Sequence, residues 1–260
     1  MIYCILAVFG LIFGSFVTAL TWRLHEKLDF VTGRSQCEHC GHTLAAIDLV
    51  PIMSWAILRG RCRYCKASIS WQNPAIEASV AIAFVLSYLA WPLALYTWQA
   101  QASFGLWLLY IVLLATLFLY DLRWMVLPDS LIFILIALGF LDVALRLSAT
   151  NNLTFAAYTQ QILLGGAALG GIYLLLHLIS RGRWIGLGDV KLGWFMGMLL
   201  GWQYALLTLF LTSIIFVVTL LPARIAGKFP AKTRLPLGPF LIIAFILTSL
   251  FGSYAHILLP

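Results

Sequence analysis

Apolar runs about as long as a bilayer is thick recur along this chain, and they leave few folds open to it. They occupy residues 2–22, 75–95, 103–120, 130–147, 160–180, 190–202, 203–222 and 238–258. A helix crosses the hydrocarbon core with ~20 apolar residues, and inside lipid every backbone polar group must be satisfied within the element. The expectation is an all-α polytopic membrane protein with about eight transmembrane helices. Composition excludes the soluble alternative: the chain is 63% hydrophobic and 10% charged, against about 25% charged in a soluble domain. The run at 190–202 is short, and only Gly201-Trp202-Gln203 parts it from the next. Seven spans with one broken helix is therefore the other count. Residues 2–22 lack the basic start and small-residue cleavage site of a signal peptide, and read as a retained first span.

The pattern is interrupted once, at residues 23–73, which carry seven basic residues, four paired cysteines and little long apolar sequence. Three regions follow: a first helix at 1–22, a polar domain at 23–73, and a membrane core at 74–260. In the polar domain, Cys37-Glu38-His39-Cys40 and Cys62-Arg63-Tyr64-Cys65 are separated by 21 residues. Two such hooks supply four thiolates, the set of a closed structural zinc site with no open position for chemistry. A domain this small has little core of its own, so a metal staple makes physical sense. Paired disulfides or free thiols are the alternatives; a reducing cytoplasm disfavours the disulfides. His39 and His42 are spare ligands. Cys4, alone in an apolar run, reads as a small buried hydrophobe.

The net charge of +7 invites a nucleic-acid reading, but the positions of the charges argue against one. Cytoplasmic loops collect Lys and Arg. If the 23–73 domain is cytoplasmic and both termini lie outside, 15 of the 16 basic residues fall on inner loops and only Arg146 does not. Basic residues at a bilayer surface need no nucleic acid to explain them. The same layout puts Asp121, at the end of the third span, and Asp189, at the start of the sixth, at one membrane depth. Gly193, Gly197 and Gly201 then recur every fourth residue, and Gly166 and Gly170, with Ala167 and Gly171, repeat the pattern in the fifth span. Such rows let helix backbones approach closely in lipid.

Acids at membrane depth are costly and functional by default. Two facing aspartates can share a proton, so that one activates water while the other polarises a peptide carbonyl. Gly186 and Gly188 leave room beside Asp189 for a substrate backbone. Lys191 reads either as a salt-bridge partner or, preferably, as an interface anchor. Asp129 after Pro128 and Glu77 after Pro74 are placed to cap helices, and Asp142 with Arg146 at i,i+4 forms a structural ion pair. Residues alone leave several classes open: an aspartic peptidase, a proton-coupled transporter, or a non-catalytic zinc-domain assembly factor. A transporter would place its acids nearer mid-span.

In order, Phe13-Gly14-Ser15-Phe16, Arg23, Cys37-x-x-Cys40, Pro51 with Ser54-Trp55, Arg59-Gly60-Arg61-Cys62-x-x-Cys65, Pro74-x-x-Glu77, Asp121 through Pro128-Asp129, Gly186-Leu187-Gly188-Asp189-Val190-Lys191-Leu192 and Pro236-Leu237-Gly238-Pro239-Phe240 make a chain that resembles the bacterial type IV prepilin peptidases. The chain differs from common family usage at Leu49, Asn73 and Trp184. The resemblance implies cleavage of the basic leader of prepilins and pseudopilins at the cytoplasmic face of the inner membrane, with Asp121 and Asp189 as the aspartic pair. It also implies N-methylation of the new N-terminus with S-adenosylmethionine. Gly60 and Arg61 are the candidate segment for that activity, and no donor loop is visible. A presenilin-like intramembrane protease shares Gly-x-Gly-Asp and is the rival enzyme.

Overall fold

A computed structural model of the chain describes residues 1–28, 33–91, 95–149, 155–225 and 236–258. The loop that carries Lys228, Lys232 and Arg234 lies outside the described residues, as does the side chain of Arg224. Among the described residues the regular elements are helices, joined by turns and loops, and the polar stretch adds two isolated bridges, Gln36 with Thr43 and Arg61 with Ser68. The helices are α1 (Ile2–His25), α2 (Met53–Ile57), α3 (Gln72–Leu89), α4 (Trp98–Trp124), α5 (Asp129–Ala149), α6 (Phe155–Gly166), α7 (Ile172–Ser180), α8 (Leu187–Leu200), α9 (Trp202–Ile225) and α10 (Gly238–Leu258). A π-helical segment, Ala167–Gly171, joins α6 to α7 in one rod. Among the described residues five segments are long and apolar enough to cross a membrane by length and composition: 2–25, 98–124, 129–147, 159–180 and 202–222. The other apolar runs form the shorter helices α3, α8 and the start of α10. Gly201, in a left-handed conformation at φ +76°, separates α8 from α9 as two helices.

The chain divides into two compact units, one of residues 1–90 and 108–119, the other of 91–107 and 120–260. In the first unit, α1 and α3 touch backbone to backbone. A Cβ on Gly10 would lie 2.5 Å from Ala81 Cα, and one on Gly14 would lie 2.5 Å from Glu77 Cα. Leu6, Val17 and Leu20 of α1 are buried, as are Val80 and Phe84 of α3. Cys4 does not share that stripe; it is exposed on the outward side of α1, contrary to the buried position expected. A single apolar helix with one neighbour buries only one face, and Cys4 falls on the other. The helix also runs three residues beyond the expected end at 22, drawing Arg23 into its buried side, where the guanidinium donates to Ser35 Oγ at 3.4 Å.

Glu77 does not cap α3. The helix starts at Gln72, ahead of Pro74, so Glu77 lies beyond the first turn and its unpaired N–H groups. Its buried carboxylate instead accepts the Ile52 N–H at 2.6 Å and a bond from the Ser15 hydroxyl. Ile52 has φ 58°, an unusual backbone for a β-branched residue. Three separate stretches of sequence, around residues 15, 52 and 77, thus meet at one carboxylate.

In the second unit, α8 packs against the rod formed by α6, the π segment and α7. A Cβ on Gly197 would run into the Gly165 carbonyl, and one on Gly193 would lie 3.4 Å from Gly170 Cα and 3.1 Å from the Tyr173 ring. Trp194 lies across Gly166 and Gly170. The row of small residues expected from the sequence is therefore a real helix contact, with Gly165 as an added member. On other sides, Gly139 of α5 receives Met198, and Phe195 meets Phe245 of α10 at 6.1 Å between ring centres. Further out, Asp142 and Arg146 form the expected i,i+4 pair at 2.8 Å.

Candidate active site

Asp121 stands in the last turn of α4 and is 5% exposed. Met125 ends that helix in a left-handed conformation, φ 54°, with its N–H on the Asp121 carbonyl at 2.9 Å. The chain then turns through Leu127 and Pro128 into α5. Asp189 is the third residue of α8, where free N–H groups and the helix dipole favour an anion. Its Oδ2 accepts the Gly186 N–H at 3.3 Å. The Asp121 carboxylate accepts the backbone N–H of Gly238, the first residue of α10. Both acids belong to the second unit, and they are close enough for the charge of one to act on the other.

Glycines frame the two carboxylates. A Cβ on Gly238 would lie 2.7 Å from Asp121 Oδ2, and one on Gly188 would lie 2.9 Å from Leu127 Cβ. Gly186, expected to give room to a substrate, is also the donor to Asp189. Lys191 is more than an interface anchor. Its ammonium donates to Asp129 Oδ1 at 2.8 Å and lies 5.2 Å from the centre of the Phe133 ring, pinning α8 to the start of α5. Asp129 is the first residue of α5, so it lies in the helix's first turn as expected, with its carboxylate turned to Lys191. Tyr173, buried at 3% exposure, hydrogen-bonds to Thr212 and lies within electrostatic reach of Asp189. Nothing in the sequence marked it; only its helical phase, three residues after Gly170, hinted at this side of the rod.

The four cysteines form a separate cluster in the first unit. All four sulfurs lie within 4.8 Å of one another, and Cys37 Sγ is 3.8 Å from Cys65 Sγ. Among the described residues no histidine joins them; His42 stacks on Tyr64 instead, 3.7 Å between ring centres. The two hooks repeat one another at an offset of 25 residues. The Cys37 N–H binds the His42 carbonyl as the Cys62 N–H binds that of Ala67, and Leu44 to Ser35 matches Ile69 to Gly60. Each hook needs one left-handed residue after its second cysteine, and these are Gly41 at φ +67° and Lys66 at φ +62°.

Burial raises the Cys37 thiol, but the backbone N–H groups of Cys40 and His39 and the neighbouring thiols more than offset it and bring Cys37 down to about 6. For Cys65, the Ala67 N–H pulls down, yet burial and the three other sulfurs leave it at about 11. One sulfur thus takes thiolate character among four, and the cluster can hold a soft metal ion. Asp48 fastens the second hook: Arg63 Nε donates to its Oδ1 at 2.6 Å and Tyr64 Oη to its Oδ2 at 3.1 Å. The Arg63 hydrogen bond holds the Asp48 carboxyl below its usual range.

Gly60, at φ +66°, supports the Trp55 ring, which lies 3.1 Å from where a Cβ would stand, and Arg61 pairs with Ser68 across the hook.

Comparison with known proteins is consistent along the chain. Residues 8–91 match the family described as the bacterial peptidase A24 N-terminal domain, and residues 107–221 match the type IV leader peptidase family. The first match contains all four clustered cysteines and the second contains both aspartates. A protein named prepilin leader peptidase/N-methyltransferase from Stutzerimonas stutzeri is 34% identical over 219 residues, 84% of this chain and 72% of its own length. A protein of that name from Vibrio cholerae is 30% identical over 95% of this chain and 96% of its own, and one from Bacillus subtilis is 29% identical over 96% and 94%. No solved structure matches. With both halves matched and relatives aligned over most of their length, the chain belongs to the type IV prepilin leader peptidase family, a family of aspartic peptidases.

Proposed function

We propose that the chain cleaves the basic leader of type IV prepilins or pseudopilins at the cytoplasmic face of the inner membrane, with Asp121 and Asp189 as the catalytic pair. The observation that carries this reading is the meeting of the two carboxylates in one unit, each at a helix end and each held by a glycine N–H, Gly238 and Gly186. One carboxylate, ionised, takes a proton from a water as its oxygen attacks the scissile carbonyl. The other, protonated, donates to that carbonyl oxygen as it gains charge. Collapse of the tetrahedral adduct breaks the C–N bond, and a carboxyl returns the proton to the leaving amine. Gly188 and Gly238 let Leu127 and the Asp121 carboxylate pack directly on their backbones, which holds the pair in place.

The position of the pair at helix ends supports processing at the interface over a presenilin-like cut deep in a span. The basic leader would lie along the inner surface, and the apolar segment after it would enter between helices. The supporting layout has the four-cysteine domain in the cytoplasm and both termini outside.

The cysteine cluster fits zinc. Four sulfurs at ~2.3 Å from a central ion stand roughly 3.8 Å apart, which is the Cys37–Cys65 separation. Cys37, Cys40, Cys62 and Cys65 would hold the ion, and its role would be to fold the domain. The relatives' shared name also supports methyl transfer to the new N-terminal amine, with S-adenosylmethionine as the methyl source. Gly60 and Arg61 remain the candidate segment toward that donor, with Gly60 under the Trp55 ring and Arg61 exposed.

The test is cleavage of a purified prepilin by the full-length chain with Asp121→Asn and with Asp189→Asn. Each variant is expected to lose cleavage by at least about a thousandfold, with its folding and metal content unchanged. Full cleavage by either variant would remove that aspartate from the mechanism.

A further inference from the structure

We infer that His177 is a positioning residue for Asp189 and acts through a single peptide group. The inference rests on the reading of Asp189 as catalytic. His177 stands in the last turn of α7, and its Nδ1 lies 2.7 Å from the Ile185 carbonyl oxygen. A carbonyl oxygen can only accept, so Nδ1 carries the hydrogen. The peptide unit that begins with the Ile185 carbonyl ends with the Gly186 N–H, and that N–H donates to Asp189 Oδ2 at 3.3 Å. A peptide group is planar and its C=O and N–H point in opposite directions. Fixing the carbonyl on the imidazole therefore aims the N–H at the carboxylate. The two bonds also polarise one another, since a carbonyl that accepts makes its own N–H a better donor.

The loop is built to keep this alignment. After α7 it turns through Arg181 at φ 52° and Gly182 at φ +74°, and the Gly182 N–H returns to the His177 carbonyl at 2.9 Å. A Cβ on Gly182 would sit 3.2 Å from His177 Cε1, so the ring packs against the loop. The Trp184 N–H is held by Ser180 Oγ at 3.3 Å. Ile185 is buried at 7% exposure, in a loop whose neighbours Trp184 and Gly186 are exposed. Without the imidazole, the Ile185 carbonyl would lose this partner and the peptide would be free to rotate. Asp189 would then lose the donor that sets the direction of its Oδ2.

A residue that merely stapled the loop would be replaceable by any side chain of like volume. His177→Phe keeps an aromatic ring and removes the donor, whereas His177→Asn is smaller but places an amide N–H near the Nδ1 position. In full-length protein with a purified prepilin, His177→Phe should lower kcat roughly tenfold with KM little changed, and His177→Asn should restore most of the loss. Hydrogen exchange read on fragments covering 181–190 should show faster exchange at the Gly186 amide in His177→Phe and near wild-type exchange in His177→Asn. Wild-type kcat in His177→Phe, equal impairment of both variants, or unchanged exchange at Gly186 in His177→Phe would each overturn the inference. If Asp189→Asn cleaves normally, the catalytic reading fails instead, and the exchange measurement still tests whether His177 governs the Gly186 N–H.

Discussion

One methyl group separates glycine from alanine, and at residue 238 there is no place for it. It would arrive 2.7 Å from Asp121 Oδ2 and 3.4 Å from Cγ. Gly238→Ala should therefore fold, because the helix it begins tolerates alanine, yet turn the Asp121 carboxylate aside. Steady-state prepilin cleavage should fall by roughly a hundredfold, the cost of about an ångström of misplacement, while metal content and melting temperature hold. Wild-type turnover would show that the carboxylate has room that the geometry denies. By contrast, the Lys191–Asp129 bridge is partly exposed, at 31% and 59% of the two side chains. A double-mutant cycle with Lys191→Ala and Asp129→Asn should give a coupling energy of at most about 1 kcal/mol. The aspartates were legible in the sequence because an acid at a span end is expensive and the charge count gave both the same depth. The partners of those acids were not. Lys191 and Asp129 are 62 residues apart, and no local pattern joins them. The Gly238 and Gly186 N–H groups are backbone atoms, which a sequence read for side chains passes over.

At the scale of elements, the sequence read contacts better than ends. The spacing of Gly193, Gly197 and Gly201 announced a close helix pair, since in lipid only small residues let backbones meet. It did not announce the π segment, whose extra residue per turn depends on packing that no periodicity encodes. Gly197→Ala puts a methyl group into the Gly165 carbonyl. It should destabilise the chain by about 1–3 kcal/mol, read as a lower thermal midpoint in detergent, and unchanged stability would place the two helices further apart. Glu77 misled for a related reason. The apolar run begins at 75, but the helix starts three residues earlier at Gln72, which carries Glu77 past the first turn. Removing its charge-assisted bond to the Ile52 N–H, with Glu77→Ala, should cost about 1.5–3 kcal/mol and open residues 46–58 to proteolysis. The cysteine hooks were the most legible element, because two short spacings set a tetrahedral ligand set. The cysteines themselves recur 25 residues apart, but the rest of the repeat lies in backbone hydrogen bonds and not in residue identity: Gly41 in one hook is Lys66 in the other. Cys37→Ser should abolish metal retention on gel filtration, measured by elemental analysis against the unsubstituted chain. Equal metal in both would remove the cluster as a ligand set.

For the whole molecule, the all-helical architecture follows from the apolar runs, while the lengths of the helices do not. Among the described residues five are long enough to cross alone, and α8 is not, although it carries one of the two acids. A short helix needs neighbours on every side, and α8 has them: the rod of α6 and α7 against its glycines, Met198 on Gly139 of α5, and Phe195 against Phe245 of α10. Buried Leu192, Phe195 and Met196 complete the setting. In the language of machines, α8 is the frame and not a moving part. Asp121 has a different mounting, on the last turn of a helix that ends in a left-handed residue and three residues of open chain before α5. If a catalytic pair must part to admit a polypeptide and close again on it, the travel belongs to the Asp121 jaw. Amide exchange should then be slow across 190–198 with or without substrate, and substrate should quiet the segment 122–128.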